Sequence, residues 1–246
     1  MNSGNATITK LQEMRLHGMI SAFKSTLESG LNHKFTPDEF FAHLVDSEWD
    51  YRIKRKQESL RKKAGFRYQA SFAEIDFTLD RKLDKNLILR LSDCSWIENH
   101  KDIIITGPTG IGKSFIGSAL GHQAIQQRKK VYYQSCSRLF ARLKLAKADG
   151  SYLKELAKIQ KNEVLLLEDF GLNPFNSDIR LMLLDILEDR HGRRSTIFIS
   201  QIPVSKWHDL IGDSTIADAI LDRIVYNSFR IELDGESIRK KMYRNS

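Results

Sequence analysis

Residues Gly107 to Ser114 read GPTGIGKS and satisfy the pattern G-x-x-x-x-G-K-[ST] in full. No other feature of the chain restricts its fold as much, because this pattern has physical meaning only between a buried strand and the first turn of a helix. Both flanks comply. Ile103-Ile104-Ile105-Thr106 precedes it, and Phe115 to Gln127 follows with helical spacing. Gly107, Gly110 and Gly112 permit a tight turn whose backbone N–H groups face inward onto phosphate oxygens. The expected nucleotide-binding segment is therefore Gly107, Pro108, Thr109, Gly110, Ile111, Gly112, Lys113, Ser114 and Phe115. Lys113 is expected to carry its charge to the β- and γ-phosphates and Ser114 its hydroxyl to Mg²⁺, with the positive end of the helix dipole behind both. The implied ligand is a nucleoside triphosphate.

From Lys101 onward, apolar runs alternate with helical patterns. Candidate strands are Ile103–Thr106, Val131–Gln134, Val164–Leu167, Thr196–Ser200 and Phe229–Leu233. The helices between them imply an α/β fold with a mostly parallel sheet flanked by helices on both faces. Upstream the pattern is purely helical. Ile8, Leu11, Met19, Ala22, Phe23 and Leu27 predict one helix over 8–29, stopped by Gly30. Thr36-Pro37-Asp38-Glu39 is a capping box that opens a helix from Pro37 to about Ala64, with Gly65 as its stop. Phe41, Leu44, Val45 and Trp49 give that helix an apolar stripe. A small all-α N-terminal domain over 1–67, a linker over 68–100 and an α/β nucleotide domain over 101–246 follow from this division.

The net charge of +8 is unevenly spread. Residues 1–50 carry four bases and seven acids, whereas 51–67 carry eight bases and one acid. The block comprises Arg52, Lys54, Arg55, Lys56, Arg61, Lys62, Lys63 and Arg67. Like charges at that density repel unless a polyanion compensates them, which points to nucleic acid. A solvated helix face or an acidic protein partner are the alternative readings. Tyr51, Phe66 and Tyr68 flank the block and suit either base stacking or packing. No run of 18 apolar residues exists for a membrane span, and MNSGNATITK lacks the apolar core of an export signal, so a cytoplasmic protein is expected. Cys94 and Cys136 have no metal or redox spacing and read as buried small apolar residues.

Val164-Leu165-Leu166-Leu167-Glu168-Asp169 is an apolar strand ending in two carboxylates. One acid at such a position holds Mg²⁺, directly or through water, and its neighbour activates the attacking water. Ser114, Glu168 and Asp169 are thus the expected metal set. Gln201 ends the next apolar strand, which in a parallel sheet puts it at the same carboxyl edge. Arg223 and Arg239 are candidate charge-stabilising arginines for phosphoryl transfer, and surface salt bridges explain them equally well.

In this order the motifs resemble a family. Glu168-Asp169-Phe170-Gly171, Arg193-Arg194-Ser195-Thr196, Ser200-Gln201-Ile202-Pro203, Ala217-Asp218-Ala219-Ile220-Leu221-Asp222-Arg223 and Gly235-Glu236-Ser237 with Arg239 are similar to the IstB-type ATP-binding proteins of bacterial insertion sequences. These are AAA+ ATPases of the clade shared with the DnaC helicase loader and the DnaA initiator, and the resemblance covers nearly the whole chain. It implies a P-loop AAA+ ATPase core and a transposition helper that binds ATP, assembles as a homo-oligomer on duplex DNA and activates a transposase. In that scheme Gln201 is sensor 1, Arg223 the arginine finger acting on a neighbour's ATP, and Arg239 sensor 2 acting in cis. Only seven residues follow Arg239, so no C-terminal lid bundle is expected. The resemblance also implies a DNA-facing helical insertion over 137–161, with Arg138, Arg142, Lys144 and Lys147 as candidate contacts. The order Glu168-Asp169 reverses the usual aspartate-first order of this acid pair. A longer metal-side acid and a shorter water-side acid imply slow hydrolysis. A replicative helicase loader would share the same core, and the basic block favours DNA over a helicase. A small-molecule kinase and a nucleotide-switched binding protein with negligible turnover are the other classes weighed.

Overall fold

The computed structural model of the chain describes residues 3–238 and Lys240. The chain divides into two compact units, residues 1–59 and 60–246.

The first unit is helical. Where the sequence predicts one helix over 8–29, two are found, α1 (Ser3–Glu13) and α2 (His17–Glu28). The break lies at Arg15, which adopts a left-handed φ of 59°. Leu16 N–H reaches back to the Leu11 carbonyl and Arg15 N–H to that of Gln12, the paired bonds of a Schellman ending. Arginine is not a residue that announces such an ending, so the sequence carries no stop there. The compensation is tertiary. A carboxylate oxygen of Glu48 accepts the N–H groups of Gly18 (2.7 Å) and Met19 (3.3 Å), capping the otherwise unpaired first turn of α2. Arg52 holds the other oxygen at 2.7 Å.

Glu48 belongs to α3 (Pro37–Ala64), whose limits agree with the sequence reading. Its start is the expected capping box: Thr36 N–H donates to Glu39 at 2.8 Å, and Glu39 N–H to the Thr36 hydroxyl at 3.3 Å. The expected apolar stripe is placed differently. Phe41, Val45 and Trp49 are exposed, at 66%, 39% and 60%. The face that packs carries Phe40, Glu48 and, from the expected stripe, the half-buried Leu44, with Phe40 against Phe23 and Phe35; the more exposed Tyr51 lies against His17.

The second unit is an α/β layer structure. After α4 (Lys85–Leu91) and α5 (Ser95–Glu98) come β1 (Asp102–Thr106), α6 (Lys113–Gln126), β2 (Val131–Ser135), α7 (Cys136–Ala148) and α8 (Tyr152–Gln160). Then follow β3 (Val164–Glu168), α9 (Ser177–Arg190), β4 (Ser195–Ser200), α10 (Trp207–Ile211), α11 (Ser214–Val225) and β5 (Ser228–Glu232). The five strands pair in parallel in the order β2-β3-β4-β1-β5. Alternate residues of each strand enter opposite cores. Ile103, Ile105, Val164, Leu166, Ile197 and Ile199 join one cluster, and Ile104, Leu165, Leu167 and Phe198 the other. Burial on both faces explains why these strands read as unbroken apolar runs. Each fully buried side chain of this kind contributes about 1.5–3 kcal/mol.

Residues 68–100, expected as a linker, are part of this core. Ala70, Ile75, Ile88, Leu91, Cys94, Trp96 and Ile97 are buried in the same cluster as β1 and α6. Their short elements give little periodicity to read. Both cysteines are buried free thiols.

Candidate nucleotide-binding site

Gly107–Gly112 leaves the carboxyl end of β1 and closes on α6, which begins at Lys113. All three loop glycines have positive φ. At Gly107 the requirement is also steric, because a Cβ there would stand 2.4 Å from the Leu233 carbonyl oxygen. Ile111 is fully buried and Phe115, in the first turn of α6, packs against the core, so at these two positions the side chains serve the fold. The ammonium of Lys113 donates to the carbonyls of Gly107 and Pro108, both at 2.7 Å, which draws the charge into the loop.

The sheet order then assembles the rest. β4 lies beside β1 with Thr106 in register with Ser200, so Gln201 emerges next to the loop. The Thr109 hydroxyl donates to Gln201 Oε1 at 2.6 Å. β3 lies beyond β4 and ends at Glu168, which is 4% exposed and lines the same cavity as Ser114. Burial raises the Glu168 pKa and Asp169 adds to this, while Ser114, Arg67 and Lys113 oppose it. Asp169 has a left-handed φ of 58°. The turn is locked behind it: Phe170 is buried and donates its N–H to Ile199 O at 2.9 Å, and Ser200 Oγ donates to Phe170 O at 2.7 Å.

Thr109, Gly110, Lys113, Ser114, Glu168, Asp169 and Gln201 line one cavity of about 130 Å³, with Arg67 and Tyr68 on its wall. Arg67 is thus found at the phosphate loop. The hydroxyl of Ser114 and the two carboxylates are hard oxygen donors and fit Mg²⁺. Among the described residues no cluster of three or more His, Cys, Asp or Glu could hold a metal unaided, so an ion here would depend on phosphate oxygens. A larger cavity of about 230 Å³ lies between α7 and α9 and shares only Asp169 with this site.

The structure does not bring Arg223 into that cavity. On α11 its guanidinium donates to Ala219 O (2.7 Å) and to Glu188 (3.2 Å). Arg239 lies outside the described residues. Lys54, Arg55, Lys56, Arg61, Lys62 and Lys63 are exposed along α3, and Arg138, Lys144 and Lys147 along α7. Arg52 pairs with Glu48, and Arg142 with Glu155 at 2.9 Å, so these two are engaged within the fold.

Arg81 went unnoticed in the sequence. It is 3% exposed and donates to Ile111 O (3.2 Å) and Asp76 O (2.8 Å), bracing the phosphate loop from outside. An isolated arginine in a stretch without periodicity carries no signal of such a role.

A five-stranded parallel sheet in this order, with a phosphate loop after β1, an acid pair after β3 and Gln201 after β4, defines a P-loop α/β nucleotide-binding core. The solved structures agree on the fold. The chain resembles DnaA from Aquifex aeolicus (TM-score 0.58, 16% identity, 74% of this chain and 55% of that one). It also resembles the DnaC helicase loader (TM-score 0.52, 20% identity, 60% and 86%). More particularly, the chain belongs to the IstB-like ATP binding proteins, whose family model matches residues 9–246. It is 43% identical over 240 residues to the insertion sequence ATP-binding protein y4pL of Sinorhizobium fredii, covering 98% of each chain. It is 28% identical over 236 residues to the ATP-binding protein of insertion sequence IS21 of Pseudomonas aeruginosa, covering 96% of this chain and 89% of that one. Family membership makes this an insertion-sequence ATP-binding protein with a role in transposition. Among the described residues no helix is long and apolar enough to cross a membrane.

Proposed function

We propose that this chain is an ATPase that assembles on duplex DNA in its ATP-bound form and delivers a target site to a transposase. The observation that carries the reading is the single cavity on which the phosphate loop, Glu168, Asp169 and Gln201 converge, in a member of an insertion-sequence family. Within it Asp169 accepts a proton from the attacking water, and Gln201, held by Thr109, orients that water or the terminal phosphate. Ser114 and Glu168 would hold Mg²⁺, which neutralises phosphate charge when bound. The cost of burying Glu168 beside Asp169 is what a cation at this point relieves.

Arg223 is proposed to act on ATP bound by an adjacent copy. Its own chain holds it outside the cavity, on α11, which is the arrangement a finger in trans needs. Arg239 is proposed as the cis sensor. The exposed cations of α3 and α7 are proposed to contact DNA phosphates, and assembly brings many such rows onto one duplex.

Electron microscopy of the protein with ATP and duplex DNA tests this reading. Ordered rings, spirals or filaments are expected with ATP, and none with Lys113→Ala, which removes the loop's charge to the phosphates. Monomers under every condition would refute it.

A further inference from the structure

Among the described residues, the cavity at the phosphate loop is lined by one arginine, and it is neither Arg223 nor Arg239. Arg67 stands there with Lys113, Ser114, Glu168 and Gln201. We propose that Arg67 binds the γ-phosphate of ATP in cis. The proposal rests on the reading of Gly107–Ser114 as a triphosphate site.

The placement of Arg67 is enforced by its neighbours. Phe66 stacks on His122 of α6 with ring centres 4.1 Å apart. It occupies the room that Gly121 leaves, since a Cβ on that glycine would stand 2.8 Å from the ring. On the other side, the Tyr68 carbonyl is hydrogen-bonded to His122 Nε2 at 3.2 Å. Residues 66 and 68 are thus clamped to the helix that begins with Lys113. Between them, the Arg67 guanidinium lies 5.4 Å from the Tyr68 ring centre and close enough to Glu168 to favour its ionised form. Ala64, three residues earlier, is the fully buried last residue of α3.

Charge explains what the arginine does there. Lys113 and Arg67 balance Glu168 and Asp169 across the cavity. Without Arg67 the protein's own charges on this wall sum to one negative, and a terminal phosphate there would depend on a bound Mg²⁺ alone. A triphosphate carries one more negative charge than a diphosphate and meets that wall directly, whereas the α- and β-phosphates are held by the loop's N–H groups and Lys113. The planar guanidinium can also offer two parallel N–H groups to phosphate oxygens, which an ammonium cannot.

The test is nucleotide titration of the wild-type chain, Arg67→Ala, Arg67→Lys and Lys113→Ala with ATPγS and with ADP, together with the salt slope of duplex binding. A charge-assisted hydrogen bond of this kind predicts a loss of about tenfold or more in ATPγS affinity for Arg67→Ala. ADP affinity should stay close to wild type, Arg67→Lys should keep part of the preference, and the salt slope should not change. Equal losses for the two nucleotides, or unchanged ATPγS affinity, would overturn the assignment. A slope shallower by about one unit with unchanged nucleotide affinities would also overturn it and make Arg67 a DNA contact. Wild-type ATPγS affinity in Lys113→Ala would instead remove the triphosphate site itself, and the Arg67 assignment with it.

Discussion

The Thr109 hydroxyl donates a 2.6 Å hydrogen bond to Gln201 Oε1, joining the phosphate loop to the end of β4 across 92 residues of chain. Neither residue then reports on the nucleotide alone. Thr109→Val and Gln201→Ala should each slow phosphate release more than they weaken ATP binding. The double variant should be little worse than either single one, with a coupling of about 0.5–1.5 kcal/mol. Strictly additive losses in steady-state kinetics would show that the bond transmits nothing.

Arg223→Ala should leave nucleotide affinity of the monomer nearly unchanged, because the side chain rests on Glu188 and Ala219, away from its own cavity. Hydrolysis should fall by about 10³ or more if the arginine completes a neighbour's site. Mixing Arg223→Ala with Lys113→Ala should restore part of the activity, since one type of interface then joins an intact loop to an intact finger. Absence of recovery at every mixing ratio would argue against action in trans.

Replacing Lys54, Arg55, Lys56, Arg61, Lys62 and Lys63 with alanine should weaken duplex binding for all sequences alike. If each cation meets one phosphate, the log–log salt slope becomes shallower by about five units. A wild-type slope in the variant would assign this helix surface to solvent.

Asp169 combines a chemical and a backbone role that substitutions can separate. Its left-handed φ costs a non-glycine residue about 1–2 kcal/mol. Asp169→Gly should therefore be more stable than Asp169→Ala by about 1 kcal/mol in denaturant unfolding. Both should hydrolyse ATP about 10²- to 10⁴-fold more slowly and remain longer on DNA, because both lack the water-activating carboxylate. Wild-type turnover in either variant would refute that role.

Glu48 gives the helical unit a pH dependence. Burial raises its pKa, but hydrogen bonds from Arg52, Met19 and Gly18 outweigh this, and the net value lies below the ordinary 4.5. A carboxylate lowered on folding stabilises the folded form fully above its unfolded pKa. That contribution is lost as the pH falls through the lowered value. Amide protection factors at Gly18 and Met19, corrected for the intrinsic rate, should fall on acidification below about 4.5 in the wild type. In Glu48→Ala, which removes the acceptor, protection should be low already at neutral pH, and equal protection in the two proteins would show that the cap contributes nothing.

What the sequence determined by itself was local. The phosphate loop depends on three glycines, a lysine and a hydroxyl within eight residues, so its conformation is written in adjacent positions. The strands were legible to within one residue at each end because both faces of the sheet are buried, and burial on both faces leaves an unbroken apolar run. The capping box of α3 was legible for the same short-range reason. Tertiary contacts decided the rest. The division of residues 3–28 into two helices is supported by Glu48, 30 residues away in sequence, which caps the first turn of α2. The loop's brace, Arg81, and the cavity's arginine, Arg67, come from stretches with no periodicity, 31 and 47 residues before Gly112 and Ser114. Sequence places the ends of the β-strands; only the order β2-β3-β4-β1-β5 brings Gln201 and Glu168 to one cavity, and the contacts of Phe66 and Tyr68 with His122 add Arg67, because such neighbours are chosen by packing over distances that no local pattern encodes.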